Sequence, residues 1–174
     1  MRQIKFRGKN LYKEIVRQED GVDFTEINEG CMWLYGGYAE IDGQGYLFPE
    51  AKCHQSNGDY WMDDDAPDIP IVDPNTVGQY TVLHDRKDRE IYEGDILFVE
   101  FADKSGGYYL VGWNEETASW GIMDRYEYQF LKEGNDCPEF MNHTLLAFLK
   151  QAIVCEVVGN IHDNPELMNV PNKE

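Results

Sequence analysis

The sequence lacks the motifs by which many enzyme and metal sites are recognised. It contains no C-x-x-C pair, no G-x-G-x-x-G or G-x-S-x-G turn, no phosphate-binding P-loop and no H-E-x-x-H pair. The four cysteines are widely spaced, which favours reduced thiols over a disulfide framework; they are Cys31, Cys53, Cys137 and Cys155. The sequence therefore predicts no cofactor, no metal site and no catalytic residue, and we expect a protein that is not an enzyme.

Residue types that can ligate metals are present, but their spacing does not suit a site. Cys53 and His54 are adjacent, so they lack the C-x₂₋₄-C or H-x₃₋₅-H spacing that places two donors on one ion. The three aspartates at 63–65 have no glycine-bearing loop pattern and are typical of a solvated run. His162 and Asp163 are neighbours in sequence, and neighbouring strand residues point to opposite faces, so an acid–base pair is not expected there.

Long hydrophobic runs are missing as well. No stretch approaches the roughly 20 apolar residues that a membrane-spanning helix needs. The N-terminal sequence MRQIKFRGKN has no apolar region of the kind found in signal peptides. We expect a cytoplasmic protein with no membrane partner.

Basic residues are scarce and concentrated at one end. The 174-residue chain has a formal charge of −18, with 33 Asp and Glu against 15 Lys and Arg. Residues 1–17 hold six basic residues and one Glu, so the remainder carries nine basic and 32 acidic residues. Such a surface repels phosphate backbones, which disfavours nucleic-acid binding beyond a local basic arm. It favours either simple solubility or an encounter with a basic protein partner.

The first half of the chain contains short apolar runs between turn-forming residues. Residues 3–9 alternate, with Ile4, Phe6 and Gly8 opposite a basic face, and predict a strand. The aromatic-rich residues 30–39 and the run at 46–48 flank the sequence DGQG, which predicts a hairpin. Residues 11–29 are polar and predict a loop with a short strand or a helical turn.

The second half contains apolar strands of about six residues between Gly-rich turns, which predict a small all-β barrel or sandwich. These strands are predicted at residues 77–83, 96–101, 108–113 and 120–123, with a closing strand at 153–158. The period changes to helical spacing at 141–152, where Asn142 is the predicted N-cap. The polar segment 84–90 is expected to face solvent.

Three prolines near residue 70 separate the two halves. The predicted fold class is mainly β, with an N-terminal β-rich region at 1–75, a second domain at 76–174 and one or two short helices. Asn164 and Pro165 are predicted to begin a terminal helical turn.

Three separated segments resemble the YopX family of phage and prophage proteins. They are IKFRGK at residues 4–9, VGQYTVLHDRKDREIYEGDIL at 77–97 and EVVGNIHDNPELM at 156–168. Two positions depart from the family pattern, which has glycine where this chain has Val82 and Asp88. Aspartate tolerates left-handed backbone, so Asp88 fits the turn, whereas Val82 is expected to be extended.

The resemblance implies an SH3-like small barrel in the C-terminal half and a protein of mobile-element origin that acts inside a bacterial host cell. It also implies a possible homo-oligomer. The family supplies no catalytic residues to carry over. Within the shared motifs, the residues favour structural roles: Gly94 allows a bend, Asp95 is expected to accept nearby backbone N–H bonds, and Asn160, Asn164 and Glu166 suit turns and caps.

Two sets of residues remain as candidate binding sites. The first is an aromatic set for a host or phage protein partner, which could equally fill the core of the N-terminal region: Trp33, Tyr35, Tyr38, Tyr60 and Trp61. The second is a basic set for phosphate contacts: Arg2, Lys5, Arg7 and Lys9. We expect a non-enzymatic protein-binding module; the alternatives are nucleic-acid association through the basic strand and an enzyme with an unrecognised site.

Overall fold

The computed structural model describes residues 4–10, 13–19, 22–28, 33–48, 55–56, 59–60, 71–135 and 143–170, with the backbone alone for 13–19, 22–28, 55–56 and 59–60. The contacts divide the chain into two compact units, Gln3–Gln79 and Tyr80–Glu174. Strands dominate both units, which confirms the mainly β fold class. The division into domains at 1–75 and 76–174 stays a prediction.

The first unit is built from antiparallel strands. In chain order they are β1 (Phe6–Lys9), β2 (Lys13–Glu19), β3 (Val22–Asn28), β4 (Trp33–Ile41), β5 (Gln44–Phe48), β6 (Gln55–Ser56), β7 (Asp59–Tyr60) and β8 (Ile71–Val72). Four of them pair side by side in the order β1–β4–β5–β8, and the first residues of β9 (Gly78–His84) pair with β1. The remaining strands form the pairs β2–β3 and β6–β7.

The predicted hairpin between β4 and β5 is confirmed. Asp42 and Gly43 both have positive φ, 52° and 78°, which is the backbone that a two-residue turn between twisted strands requires. The prediction for residues 11–29 is wrong, because this segment contains the paired strands β2 and β3. In a two-stranded ribbon each strand bonds about half of its backbone groups to its partner, and this pairing does not require the apolar alternation that marks a strand on a core.

The second unit contains a four-stranded antiparallel sheet and two helices. The elements are β10 (Glu90–Tyr92), β11 (Asp95–Glu100), β12 (Gly106–Asn114), β13 (Ser119–Asp124), α1 (Arg125–Lys132), α2 (Leu145–Gln151) and β14 (Val154–Asn160). The sheet order is β13–β12–β11–β14, and the second part of β9 pairs separately with β10. The described strands do not close into a barrel, so the SH3-like arrangement stays a prediction.

The helix boundaries show how local capping decides where a helix begins. The helix predicted at 141–152 is α2, and the prediction of Asn142 as its N-cap is wrong, because the cap is Thr144, whose hydroxyl accepts the N–H of Ala147. Asn142 itself lies outside the described residues. Helix α1 is absent from the predictions above, although the sequence contains the two residues of a capping box at its start. Asp124 accepts the N–H of Glu127 while the Glu127 carboxylate accepts the N–H of Asp124, a capping box.

The core of the second unit lies between this sheet and α2. Leu97 and Val99 of β11 are fully buried, and strand geometry places them on the same face as the half-buried Phe101. Residues from the other elements complete the cluster: Ile91, Val111, Trp120, Ile122, Leu145, Phe148, Ala152 and Cys155. The Phe148 ring packs edge-to-face on Phe101 and Tyr109, with centroids 5.0 and 4.8 Å apart, so α2 is anchored to the sheet through aromatic contacts.

The prediction that Val82 is extended is wrong, whereas the left-handed backbone expected at Asp88 is confirmed (φ 67° and 64°). The cause is a bulge in β9. Tyr80 pairs with Tyr92 and His84 with Glu90, so three residues of β9 lie opposite the single residue Ile91. The Thr81 hydroxyl donates to the Ile91 carbonyl at 2.8 Å, which fixes the bulge and forces Val82 into a conformation that suits glycine.

Candidate functional site

The predicted aromatic and basic sets meet on one side of the first unit. Strands β1 and β4 pair so that Arg7 lies opposite Tyr35 and Lys9 opposite Trp33. The Arg7 guanidinium lies 4.7 Å from the centre of the Trp33 ring, and the Lys9 ammonium lies 5.6 Å from it. The Lys5 ammonium lies 5.5 Å from the centre of the Tyr35 ring. We call these five residues the aromatic–basic face.

Exposure differs within the aromatic–basic face. Tyr35 is 45% exposed and Trp33 is half-buried, so both rings reach the surface rather than filling a core. Arg7 is only 7% exposed, with its guanidinium stacked on Trp33. Cation–π contacts contribute about 0.5–1 kcal/mol each at exposed sites and about 2 kcal/mol where the cation is desolvated, so they favour the observed positions of these side chains. The face is therefore partly ordered before any partner arrives.

The other members of the predicted sets do not join this face in the described structure. Tyr38 lies on the opposite side of β4, where its ring packs against Phe6 at 5.7 Å and its hydroxyl donates to Glu40. The side chain of Tyr60, together with Trp61 and Arg2, lies outside the described residues. Of the nine predicted site residues, the structure brings together Lys5, Arg7, Lys9, Trp33 and Tyr35.

The polar motifs of the second unit support its turns. Gly94 has φ of 80°, and the buried Asp95 carboxylate accepts the N–H of Tyr92 at 2.7 Å, which confirms the turn chemistry predicted for this motif. The Asn160 side chain accepts the N–H groups of His162 and Asp163, both at 2.9 Å. These two motifs also contact each other, since Ile161 donates its N–H to the Gly94 carbonyl. The turn at Gly94 and Asp95 and the turn that begins at Asn160 therefore lie next to each other.

The terminal helical turn is a 3₁₀ helix, Pro165–Met168, with Pro165 in its first turn. Asn164 occupies the cap position, but its side chain makes no capping bond to this helix and instead accepts the N–H of Asn160. Gly159 permits this approach, because a Cβ at that position would collide with the Asn164 amide oxygen. The predicted helical turn is therefore present, but the Asn164 side chain bonds to Asn160 instead of capping it.

The prediction that residues 84–90 all face solvent is wrong for Asp85. Its side chain is completely buried and accepts the N–H groups of Lys87, Arg89 and Val157 at 2.8–3.0 Å, while the Arg89 guanidinium pairs with it at 2.7 Å. Arg86 donates its N–H to the Cys155 carbonyl. The loop thus covers the outer edge of β14, and Asp85 supplies the acceptor that another strand would otherwise provide.

Two groups at this edge have shifted pKa values, the Asp85 carboxyl and the Cys155 thiol. Burial raises the pKa of the Asp85 carboxyl, but the backbone N–H groups of Arg89, Val157 and Lys87 and the Arg89 side chain outweigh that effect, so its pKa lies below the ordinary value. Burial raises the pKa of the Cys155 thiol to about 11, with the Asp85 charge adding to the effect. Cys155 therefore stays protonated at neutral pH and is not a reactive thiolate.

Among the described residues of the second unit, two cavities stand out by their linings. One, of about 450 Å³, is mainly apolar, and Val82, Trp113, Trp120 and Leu146 are among its lining residues. The other, of about 410 Å³, combines an aromatic floor of Phe101, Tyr109 and Phe148 with the carboxylates of Asp124 and Glu127. Burial raises the pKa of Tyr109, and the charges of these two carboxylates raise it further. We call this second cavity the acidic–aromatic pocket.

Within the part of the chain that the structure describes, no three His, Cys, Asp or Glu side chains are gathered where they could hold a metal ion. Neither described helix is long and apolar enough to cross a membrane. The described residues thus form a mainly β protein with an ordered aromatic–basic surface and a separate acidic–aromatic pocket.

Comparison with known proteins assigns the chain to a family. The family model described as YopX protein matches residues 5–169, nearly the whole chain, and the protein belongs to the YopX family. Among solved structures, the chain is similar to protein EF1440 from Enterococcus faecalis, with 17% identity and a TM-score of 0.37 over 96% of this chain and 99% of that one. A search of curated proteins finds no match.

Proposed function

We propose that this YopX-family protein is a non-enzymatic phage or prophage accessory protein that binds a host or phage protein through its aromatic–basic face. The observation that carries the proposal is the stacking of Arg7 on Trp33, with Tyr35 exposed beside them. Tryptophan and tyrosine are among the residues most enriched at the energetic centres of protein–protein interfaces, and Arg7 holds the Trp33 ring in place.

Prior ordering of this face strengthens the argument. Binding normally costs about 0.5–1.5 kcal/mol for each flexible side chain that becomes fixed. Here Lys5, Arg7 and Lys9 already lie over the aromatic rings of β4, so part of that cost has been met in the free protein. A partner that covers Trp33 and Tyr35 also removes apolar ring surface from water, which favours association.

Nucleic-acid association is the second candidate, because lysines beside aromatic rings resemble a single-strand binding surface. Two observations favour the protein partner. Arg7 is nearly buried, so it is poorly placed to reach a phosphate. One face of each ring is already covered by a cation of the protein, and the formal charge of −18 repels a phosphate backbone.

The finer features of the proposal rest on the family resemblance. They are an SH3-like barrel arrangement of the second unit, location in the cytoplasm of a bacterial host, and assembly into a homo-oligomer. Short antiparallel strands joined by tight turns, as in β11, β12 and β13, are compatible with such a barrel.

The test is affinity capture from host lysate, with and without phage infection, using wild type and the double variant Trp33→Ala/Tyr35→Ala. We expect wild type to retain a defined protein that the variant does not retain. Tyr126→Ala is the matched control, since it removes a tyrosine that is 65% exposed on α1. Retention of the same proteins by wild type and the double variant would contradict the proposal.

A gel shift with a single-stranded oligonucleotide at low salt separates the second candidate from the first. Binding that falls steeply with added salt and is lost in Lys5→Ala/Lys9→Ala would establish nucleic-acid association instead. The absence of a shift at low salt would remove that candidate.

A further inference from the structure

We propose that the acidic–aromatic pocket receives an arginine side chain from a basic segment of a protein partner. The pocket has a volume of about 410 Å³, within the range of roughly 300–1,000 Å³ that ligand sites occupy. Its floor and walls combine the two kinds of group that a guanidinium recognises: aromatic faces and carboxylate oxygens. The inference extends the proposed protein-binding function to a second, chemically defined contact.

The floor of the pocket is formed by aromatic rings that pack against one another. Phe148 is 9% exposed and is held edge-to-face by Phe101 and Tyr109, and the His143 ring lies with its centroid 6.2 Å from that of Phe148. A planar guanidinium stacks on such rings, whereas the more strongly hydrated ammonium of lysine gives up its water less readily. The floor therefore favours arginine.

The acidic wall is fixed by the start of α1. Asp124 uses Oδ1 to accept the N–H groups of Tyr126 and Glu127, and Glu127 uses Oε2 to accept the N–H of Asp124. Their other oxygens, Asp124 Oδ2 and Glu127 Oε1, accept no hydrogen bond from any residue that the structure describes. The capping box thus holds two carboxylates in place and leaves one oxygen of each available to a donor.

Arg125, the basic residue of α1 next to Asp124 in sequence, makes its contacts elsewhere and not with these two carboxylates. Arg125 donates from Nε to the Leu167 carbonyl at 2.7 Å, and its guanidinium stacks on Tyr108 at 4.2 Å. This contact also shows the chemistry in question, since the protein itself places a guanidinium over a tyrosine ring. The charge of the chain, −18, favours the approach of a basic segment.

The test is titration of the full chain at physiological salt with a short capped peptide containing one arginine, and with the same peptide containing citrulline. Citrulline has nearly the same shape but carries no charge. We expect the arginine peptide to bind about tenfold more tightly, the effect of losing a charge-assisted hydrogen bond. Ring resonances of Tyr109 and Phe148 in NMR spectra should shift with the arginine peptide. Equal binding of the two peptides, or shifts that avoid these rings, would overturn the proposal.

Glu127→Gln removes the charge but keeps an oxygen that can accept the N–H of Asp124, since glutamine also completes a capping box. We expect about tenfold weaker binding of the arginine peptide by Glu127→Gln and unchanged binding by Glu116→Gln, which removes one charge from an exposed turn. Equal loss in both variants would show attraction by overall charge and overturn the pocket.

Ethylguanidinium tests whether the cation must be part of a peptide. Binding as tight as that of the arginine peptide would assign the pocket to a small free cation and overturn the docking of a protein segment. The aromatic–basic face is not part of this experiment. A negative titration therefore counts against the acidic–aromatic pocket alone. A negative capture with Trp33→Ala/Tyr35→Ala counts against the aromatic–basic face alone.

Discussion

The two units use their polar and aromatic residues in opposite ways. In the second unit, Asp85, Asp95 and Asn160 are buried, and their side chains accept backbone N–H groups that would otherwise lack partners. In the first unit, Trp33 and Tyr35 reach the surface and contact the protein's own cations. Residues of the first kind hold the fold together, whereas we propose that residues of the second kind contact a partner. Substitutions at Asp85, Asp95 or Asn160 should therefore affect stability, and substitutions at Trp33 or Tyr35 should affect binding.

The largest effect on stability is expected for Asp85→Ala. The change leaves the N–H groups of Lys87, Arg89 and Val157 without their acceptor and opens the edge of β14. We expect the free energy of unfolding to fall by about 3 kcal/mol, since each buried N–H group that loses its acceptor costs about 1–3 kcal/mol. Urea denaturation measures this loss. Glu116→Ala, in an exposed turn, is the control and should change the free energy by less than about 0.5 kcal/mol. A loss of similar size in both variants would contradict the structural role of Asp85.

The same carboxylate makes stability depend on pH. Hydrogen bonding lowers the pKa of Asp85 in the folded state below the value of about 3.9 in an unfolded chain. Its contribution is therefore fully present above the unfolded pKa and is lost as the pH falls through the folded pKa. We expect the difference in unfolding free energy between wild type and Asp85→Asn to shrink as the pH is lowered from 7 towards 3. A difference that stays constant over this range would show that the ionised carboxylate is not what stabilises the loop.

Val82→Gly should increase stability. Left-handed backbone costs a non-glycine residue about 1–2 kcal/mol, and the Val82 side chain, 41% exposed, returns little of that through burial. We expect a gain of about 1 kcal/mol in the free energy of unfolding, measured by urea denaturation. Val158→Gly is a matched control, because Val158 is 42% exposed in β14 and its φ is not positive. Glycine there should cost about 0.5–1 kcal/mol. Destabilisation of the same size at both positions would show that the bulge does not strain Val82.

The outcome at individual residues shows what can be predicted from the sequence. The Asp95 turn and the hairpin at Asp42 and Gly43 depend on neighbours within a few residues, so local turn chemistry was sufficient to predict them. Asp85 and Val82 were not predictable in this way. The burial of Asp85 depends on Val157, far away in sequence, and the backbone of Val82 depends on a bulge against β10.

The candidate sites follow the same rule. Alternation along residues 3–9 selected Lys5, Arg7 and Lys9, and aromatic content selected Trp33 and Tyr35. Neither pattern could show that the basic and aromatic residues stack on one another, because the order of strands in a sheet is a tertiary property. The acidic–aromatic pocket was missed entirely, since it joins α1, α2 and two strands that are separate in sequence. Only the capping box at Asp124 and Glu127 left a local signal.

The smallest effect on stability is expected for Tyr35→Ala, and this prediction tests the other side of the comparison. The ring is 45% exposed, and its described cation–π contact is with Lys5 at 5.5 Å, so its removal should lower the free energy of unfolding by no more than about 1 kcal/mol. The loss of binding should be larger, because truncation of a hot-spot tyrosine in an interface costs about 2 kcal/mol or more, which is about a thirtyfold loss of affinity. Urea denaturation and titration against the captured partner measure the two quantities on the same sample. A large loss of stability with an unchanged affinity would place Tyr35 with Asp85, as a residue that supports the fold, and would remove the distinction between the two units on which the proposed function rests.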